Sequence, residues 1–184
     1  MSKDQYNNPW KRKSSKIIYQ NPWIKLEEDQ VVRPNGSEGI YGKVHFKNKA
    51  LGIIPVDEKN NTWLVGQYRY TLNAYSWEIP MGGVPLEEDT LEGAKRELME
   101  ETGLIAEKWT KLMKIHTSNS VTDEYGYVYL AEDLSQGEMD WDDTEELLIK
   151  KLPLDEAVKM ALNGEITDAI SVAGLLMIAR KYSF

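Results

Sequence analysis

The run from Gly82 to Leu104 restricts this chain more than any other stretch. Two adjacent glycines, Gly82 and Gly83, are followed by a helix-forming segment that carries Glu97, Glu100 and Glu101. Asp89 or Thr90 is suited to cap that helix, and Asp89 with Glu92 three residues on makes a variant of the capping box. Gly103 supplies the left-handed residue that ends it after Thr102. At about 100° per residue, Leu91, Ala94 and Leu98 line up as an apolar arc, and the three glutamates form an acidic arc beside it. One side of the helix is built for a core and the adjoining side for a site.

Like charges at i,i+3 and i,i+4 repel by a few tenths of a kcal/mol even on an exposed helix, so about this much must be offset for each pair. Mg²⁺ or Mn²⁺ would do so, since both take oxygen ligands and bind through a few carboxylates together with substrate phosphates. Arg96 stands beside the cluster, where a guanidinium can orient a carboxylate. A Glu-Glu pair alone reads as a solvated acidic face. The preceding Ile79-Pro80-Met81-Gly82-Gly83-Val84-Pro85 changes that reading: it leads from an apparent strand into the helix as a glycine loop with exposed backbone. A carbonyl there can complete a metal's shell.

Periodicity and turn residues organise the rest. Lys16–Tyr19, Ile24–Val32 and Gly39–Phe46 read as antiparallel strands, the last two joined by the turn Arg33-Pro34-Asn35-Gly36. Ala50–Val56 and Thr62–Tyr68 flank a turn at Asp57–Asn61, and further strands are expected near Glu107–Ile115, Tyr125–Leu130 and Leu147–Leu152. Leu154–Asn163 reads as a helix ending at Gly164. Asp168–Tyr182 reads as a closing helix with Ile170, Ala173, Gly174, Met177 and Ile178 on its apolar face. Strands on both sides of a central helix, with a helix at the end, predict an α/β class chain: an α/β/α sandwich around a mixed sheet, preceded by an N-terminal antiparallel strand extension. Residues 1–48 are expected to form that extension and 49–184 the main domain.

Gly82, Glu88, Arg96, Glu97, Leu98, Glu100, Glu101, Gly103 and Leu104 together resemble the signature of the Nudix hydrolases, which cleave a nucleoside diphosphate linked to another group. The resemblance implies Glu97 and Glu101 as principal metal ligands, Glu100 as an assisting carboxylate and the Met81 carbonyl as a further ligand. Glu88 and Arg96 would then tie loop to helix. Looser similarity from Tyr19 to Tyr182 is nearest to the branch that hydrolyses ADP-ribose and other nucleoside diphosphate sugars. It is carried by Gln67-Tyr68-Arg69 with Trp77-Glu78-Ile79-Pro80, by Thr117–Glu124, and by Gly164–Ala169. Asn119 stands where many ADP-ribose hydrolases have proline, which keeps other nucleotide sugars such as GDP-mannose in view.

That branch tends to place its general base on a late acidic loop, which makes Glu145, then Asp143, the candidates within Glu138–Glu146. Ser120 lies where the branch has its substrate loop. Arg69 is matched to phosphate by guanidinium geometry, with an ion pair to Glu78 as the competing role. Trp23 and Tyr19 are candidates to stack on a base, although burial in a core is the commoner fate of such rings. N-terminal strands of this branch commonly form a homodimer, and Trp10 and Trp23 suit an interface.

Composition removes several classes. With 22 basic and 30 acidic residues the net charge is -8, a poor basis for gripping nucleic acid. There is no cysteine for disulfide, thiol or thiolate-zinc chemistry. His45 and His116 lack metal-ligand spacing, and Ser118 and Ser120 lack a nucleophile elbow. Met1–Ser15 is polar and no apolar run suits a membrane span, so a cytoplasmic protein is expected. The rival expectations are a pyrophosphatase of nucleoside triphosphates or dinucleoside polyphosphates, and a non-catalytic nucleotide-binding module.

Overall fold

The computed structural model describes residues Asn7–Gly137 and Leu147–Tyr182, which fall into two compact units. In the first, β1 (Lys11–Gln20), β2 (Ile24–Val32) and β3 (Glu38–Phe46) form an antiparallel sheet in that order. The turn between β2 and β3 is the expected one, its Gly36 N–H donating to the Arg33 carbonyl at 2.9 Å. β1 is longer than the expected Lys16–Tyr19: its pairing with β2 extends back to Lys11↔Val32, past two register irregularities. Lys11–Ser15 is polar and offers no alternation by which sequence could reveal a strand.

Ser118–Glu124 also belongs to this first unit, although it lies far along the chain. The Val44 N–H donates to the Val121 carbonyl at 2.9 Å, and the Asp123 N–H returns to the Val44 carbonyl at 3.2 Å. The Tyr41 hydroxyl donates to the Ser120 carbonyl at 2.5 Å. His45 stands between two carboxylates, with Nδ1 on Asp123 and Nε2 2.9 Å from Glu27.

The second unit comprises β4 (Asn48–Pro55), β5 (Asn61–Arg69), β6 (Ala74–Glu78), β7 (Met81–Pro85), α1 (Thr90–Thr102), β8 (Leu104–His116), β9 (Tyr125–Gln136), β10 (Leu148–Pro153), α2 (Leu154–Leu162) and α3 (Ala169–Tyr182). One sheet has the order β7-β4-β9-β8 and the other β10-β5-β6. The first is mixed, with β4 parallel to β9 and antiparallel to β7.

Side chains alternate along β4 and β9, and this decides the layers. Leu51, Ile53, Tyr129 and Ala131 pack with Ala94 and Leu98 of α1. Their neighbours Ile54, Val128 and Leu130 pack with Ile170, Leu175 and Ile178 of α3. The helices therefore cover opposite faces of the mixed sheet, which is the expected α/β/α sandwich. α1 lies directly on β7, because Gly93 leaves room for Val84 where a Cβ would overlap it.

Two expectations need correction. The glycine loop is a short strand: Ala50, Leu51 and Gly52 pair with Gly83, Gly82 and Met81, because β4 offers backbone partners that turn-forming glycines cannot announce in sequence. On α3, Met177 is 41% exposed while Leu175 and Ser171 are fully buried. The buried face is centred one residue away from the expected arc.

Candidate active site

α1 is fixed at both ends. The Asp89 carboxylate accepts from the N–H groups of Leu91 and Glu92, at 2.8 and 3.2 Å. Those two donors, Glu92 first, hold its carboxyl below the ordinary range. The reciprocal half of the capping box is not made, because the Glu92 side chain pairs with Lys95 at 2.8 Å. At the far end Gly103 takes φ 66° and its N–H donates to the Met99 carbonyl, a left-handed turn that costs glycine little.

Between these ends the acidic arc meets the start of β7. Glu101 is 7% exposed. Its Oε2 accepts the Met81 N–H at 2.8 Å. The Glu97 carboxylate occupies the space over Gly82 that a Cβ there would fill. Both side chains thus converge on the Met81–Gly82 backbone. The Glu100 carboxylate is 3.1 Å from Arg96 Nη1. Arg96 also reaches Glu97 at 3.0 Å and Glu88 at 3.8 Å. Burial works against the charge on Arg96, but Glu97, Glu100 and Glu88 hold its pKa above the ordinary value. Among the described residues no three acidic or imidazole groups gather as a ready metal cluster; Glu97 and Glu101 are the carboxylates that meet the Met81–Gly82 backbone, and Arg96 Nη1 lies within 3.1 Å of both Glu97 and Glu100.

The donor chemistry fits a hard divalent cation. It consists of carboxylate and carbonyl oxygens, without nitrogen or sulfur. The glycine cradle under Glu97 is the structural mark of that fit, because it lets the carboxylate lie directly against the Gly82 backbone.

The backbone leading to Met81 is anchored residue by residue. The buried Ser171 hydroxyl accepts the Ile79 N–H at 3.1 Å. The Pro80 carbonyl accepts the Ile53 N–H at 2.8 Å. Farther along, Lys49, only 7% exposed, donates to the carbonyls of Leu86 and Glu88 at 2.8 and 2.5 Å. Neither Ser171 nor Lys49 was visible as a site residue in sequence: one is a lone hydroxyl on an apolar helix face, the other a lysine within a strand.

Arg69 and Glu78 form a two-point pair. Nε donates to Glu78 Oε1 at 2.9 Å and Nη2 to Oε2. The Glu78 side chain is 4% exposed. Its carboxylate holds the Arg69 pKa above the ordinary value, so the ion-pair role is realised. Trp23, Tyr19 and Ser120 belong to the first unit. Trp23 is 66% exposed and Tyr19 54%, so neither ring is spent on that unit's own core. Ser120 contributes its carbonyl to Tyr41. Glu145 and Asp143 lie outside the described residues.

Residues 47–172 match the NUDIX domain, and residues 10–44 match the nucleoside diphosphate sugar hydrolase N-terminal domain. The chain belongs to the Nudix family. It is similar to an ADP-ribose pyrophosphatase of Mycobacterium tuberculosis, with 34% identity over 171 residues spanning 90% of this chain and 81% of that protein. An ADP-ribose pyrophosphatase of Bacillus subtilis is 32% identical over 154 residues, covering 83% of each. The crystal structure of an ADP compounds hydrolase superposes with a TM-score of 0.85 at 20% identity, covering 95% of this chain and 94% of that one, which establishes the Nudix fold. Among the described residues no helix is long and apolar enough to cross a membrane.

Proposed function

We propose that this Nudix hydrolase cleaves the pyrophosphate bond of a nucleoside diphosphate sugar, ADP-ribose or a close analogue such as GDP-mannose, to give a nucleoside monophosphate and a sugar phosphate. The observation that carries this reading is the pairing of Glu97 and Glu101 over the Met81–Gly82 backbone. Two pyrophosphatase relatives that each cover more than four-fifths of this chain support the substrate class.

Glu97 and Glu101, with Glu100 and the Met81 carbonyl, would hold a hard divalent cation, Mg²⁺ or Mn²⁺. When bound, such an ion neutralises diphosphate charge and acidifies the attacking water. Arg96 orients Glu97 and Glu100 before substrate arrives. Proton removal from the water is assigned to Glu145, with Asp143 as second candidate, a role worth about 10²–10⁴-fold. The exposed rings of Trp23 and Tyr19 are assigned to the base. The N-terminal extension, residues 1–48, is assigned to a homodimer, since it exposes Ile17, Ile18, Tyr19, Trp23 and Ile40.

The test is turnover with Mg²⁺ of ADP-ribose, GDP-mannose, dinucleoside polyphosphates and nucleoside triphosphates, with the products identified. AMP and ribose 5-phosphate from ADP-ribose are expected. Preferred cleavage of a triphosphate to release inorganic pyrophosphate would replace this reading. An unchanged kcat in Glu145→Gln would remove Glu145 as base.

A further inference from the structure

We propose that Ser171 is a positioning residue for the acidic centre: from α3, across the mixed sheet from α1, it holds the backbone that brings the Met81 carbonyl beside Glu97 and Glu101. The inference rests on the metal-binding role given to those residues above.

Ser171 is fully buried, and it shares its face of α3 with Ile170, Gly174, Leu175 and Ile178. A hydroxyl in such surroundings needs a partner. It accepts the Ile79 N–H at 3.1 Å, from a residue 92 positions earlier that is itself 0% exposed. The Ser171 N–H in turn donates to Asp168 Oδ2 at 2.7 Å, which fixes the first turn of α3 and so the place of the hydroxyl.

Pro80 has no N–H. Ile79 and Met81 therefore supply the only main-chain donors of the Ile79–Met81 stretch, and each is taken by a side chain: Ser171 from α3 and Glu101 from α1. The Pro80 carbonyl between them is taken by Ile53 of β4. Three consecutive residues are thus pinned from three elements, and the last carries the carbonyl assigned to the site. Of the three anchors, only the Ser171 hydroxyl can be removed without touching an acidic residue or a sheet bond. Its loss leaves a buried N–H without a partner and frees the stretch to shift, in a centre whose tolerance is about 0.5 Å.

The experiment compares wild type with Ser171→Ala and Ser171→Thr, which keeps the accepting oxygen. Steady-state kinetics on ADP-ribose are measured across a Mg²⁺ titration, Mn²⁺ affinity by the ion's electron paramagnetic resonance, and hydrogen exchange over residues 79–83. A misplacement of tenths of an ångström predicts about a tenfold fall in kcat for the alanine variant with KM changed less than about twofold. Mn²⁺ affinity should fall several-fold and exchange over 79–83 should quicken, with threonine restoring all three. Faster exchange with unchanged kcat and Mn²⁺ affinity would overturn the positioning role, and unchanged exchange would deny the bond itself. If wild type turns over no nucleotide sugar, the functional reading falls instead, and the Mn²⁺ and exchange data still decide the role of Ser171. Should the alanine variant fail to fold, Ser171→Cys gives the same comparison, since a thiol is a weak acceptor of similar size.

Discussion

The Glu97 carboxylate rests over Gly82, in the volume that a side chain at position 82 would occupy. Gly82 is not among the glycines with positive φ, so its need is for space rather than for an unusual backbone. Gly82→Ala is expected to displace Glu97 and lower kcat by about a hundredfold, the scale of an ångström-level misplacement. Because Gly82 sits at the margin of the core, Tm should hardly change. Kinetics and thermal denaturation on the same preparation check both halves.

Glu101 has two separable duties, a hydrogen bond to the Met81 N–H and a negative charge. Glu101→Gln keeps an oxygen able to accept that N–H, so stability is expected to stay close to wild type while kcat falls by at least about a hundredfold, the scale of losing one strong electrostatic contact. Glu101→Ala also abandons the N–H and should lose a further 1 to 3 kcal/mol of stability, roughly the cost of one unsatisfied buried donor. Urea unfolding with parallel activity assays separates them. Equal stabilities for the two variants would contradict the hydrogen-bond duty.

Much of this is legible in the sequence, because the decisive signals are local. The α1 cap at Asp89, the stop at Gly103 and the acidic arc all depend on spacings within a few turns. What sequence could not reveal depends on partners far away. Gly82 and Gly83 read as a loop until β4 provides a ladder for them. Arg96 stands next to Glu97 in sequence, but that its Nη1 is shared by Glu97 and Glu100 emerges only from the fold. Ser171 acquires meaning only from a bond to Ile79. Trp23 and Tyr19, for which a core was the commoner expectation, are exposed, since a three-stranded sheet has little interior to offer them.

Acid should weaken the first unit through Glu27. Lys25, and after it Lys43 and His45, hold the Glu27 carboxyl down at about 2 from its usual 4.5, against the opposing effect of burial. A carboxyl with a depressed folded pKa contributes stability that is complete above its unfolded pKa and is lost as pH falls through the folded one. The loss attributable to Glu27 therefore falls between pH 4.5 and about 2. In Glu27→Gln that part of the pH dependence should vanish, with lower stability at pH 7. Tryptophan fluorescence during acid titration at fixed urea reports it. An unaltered acid limb in the variant would count against this cation cluster.

Removing Arg69 strands a buried charge. Glu78 is 4% exposed at its side chain and Arg69 37%, so Arg69→Met should cost about 2 to 3 kcal/mol, somewhat below a fully buried pair. Combining Arg69→Met with Glu78→Gln should recover most of it, with an interaction energy visible in the double-mutant cycle made of wild type, the two single variants and the double variant. Thermal denaturation of the four proteins measures this. Additive losses would show that the pair contributes nothing beyond its separate members.

Ser118–Glu124 closes onto a sheet made of the first strands, and its Asp123 meets His45 across 78 positions of chain. During synthesis the three strands leave the ribosome long before that segment exists. The nascent sheet must therefore wait, with the Val44 N–H and carbonyl unmated, until translation has passed Thr122 and the downstream segment can return. Premature termination anywhere between the third strand and that point would release a fragment with an open sheet edge, the kind of surface that seeds association between unfinished chains.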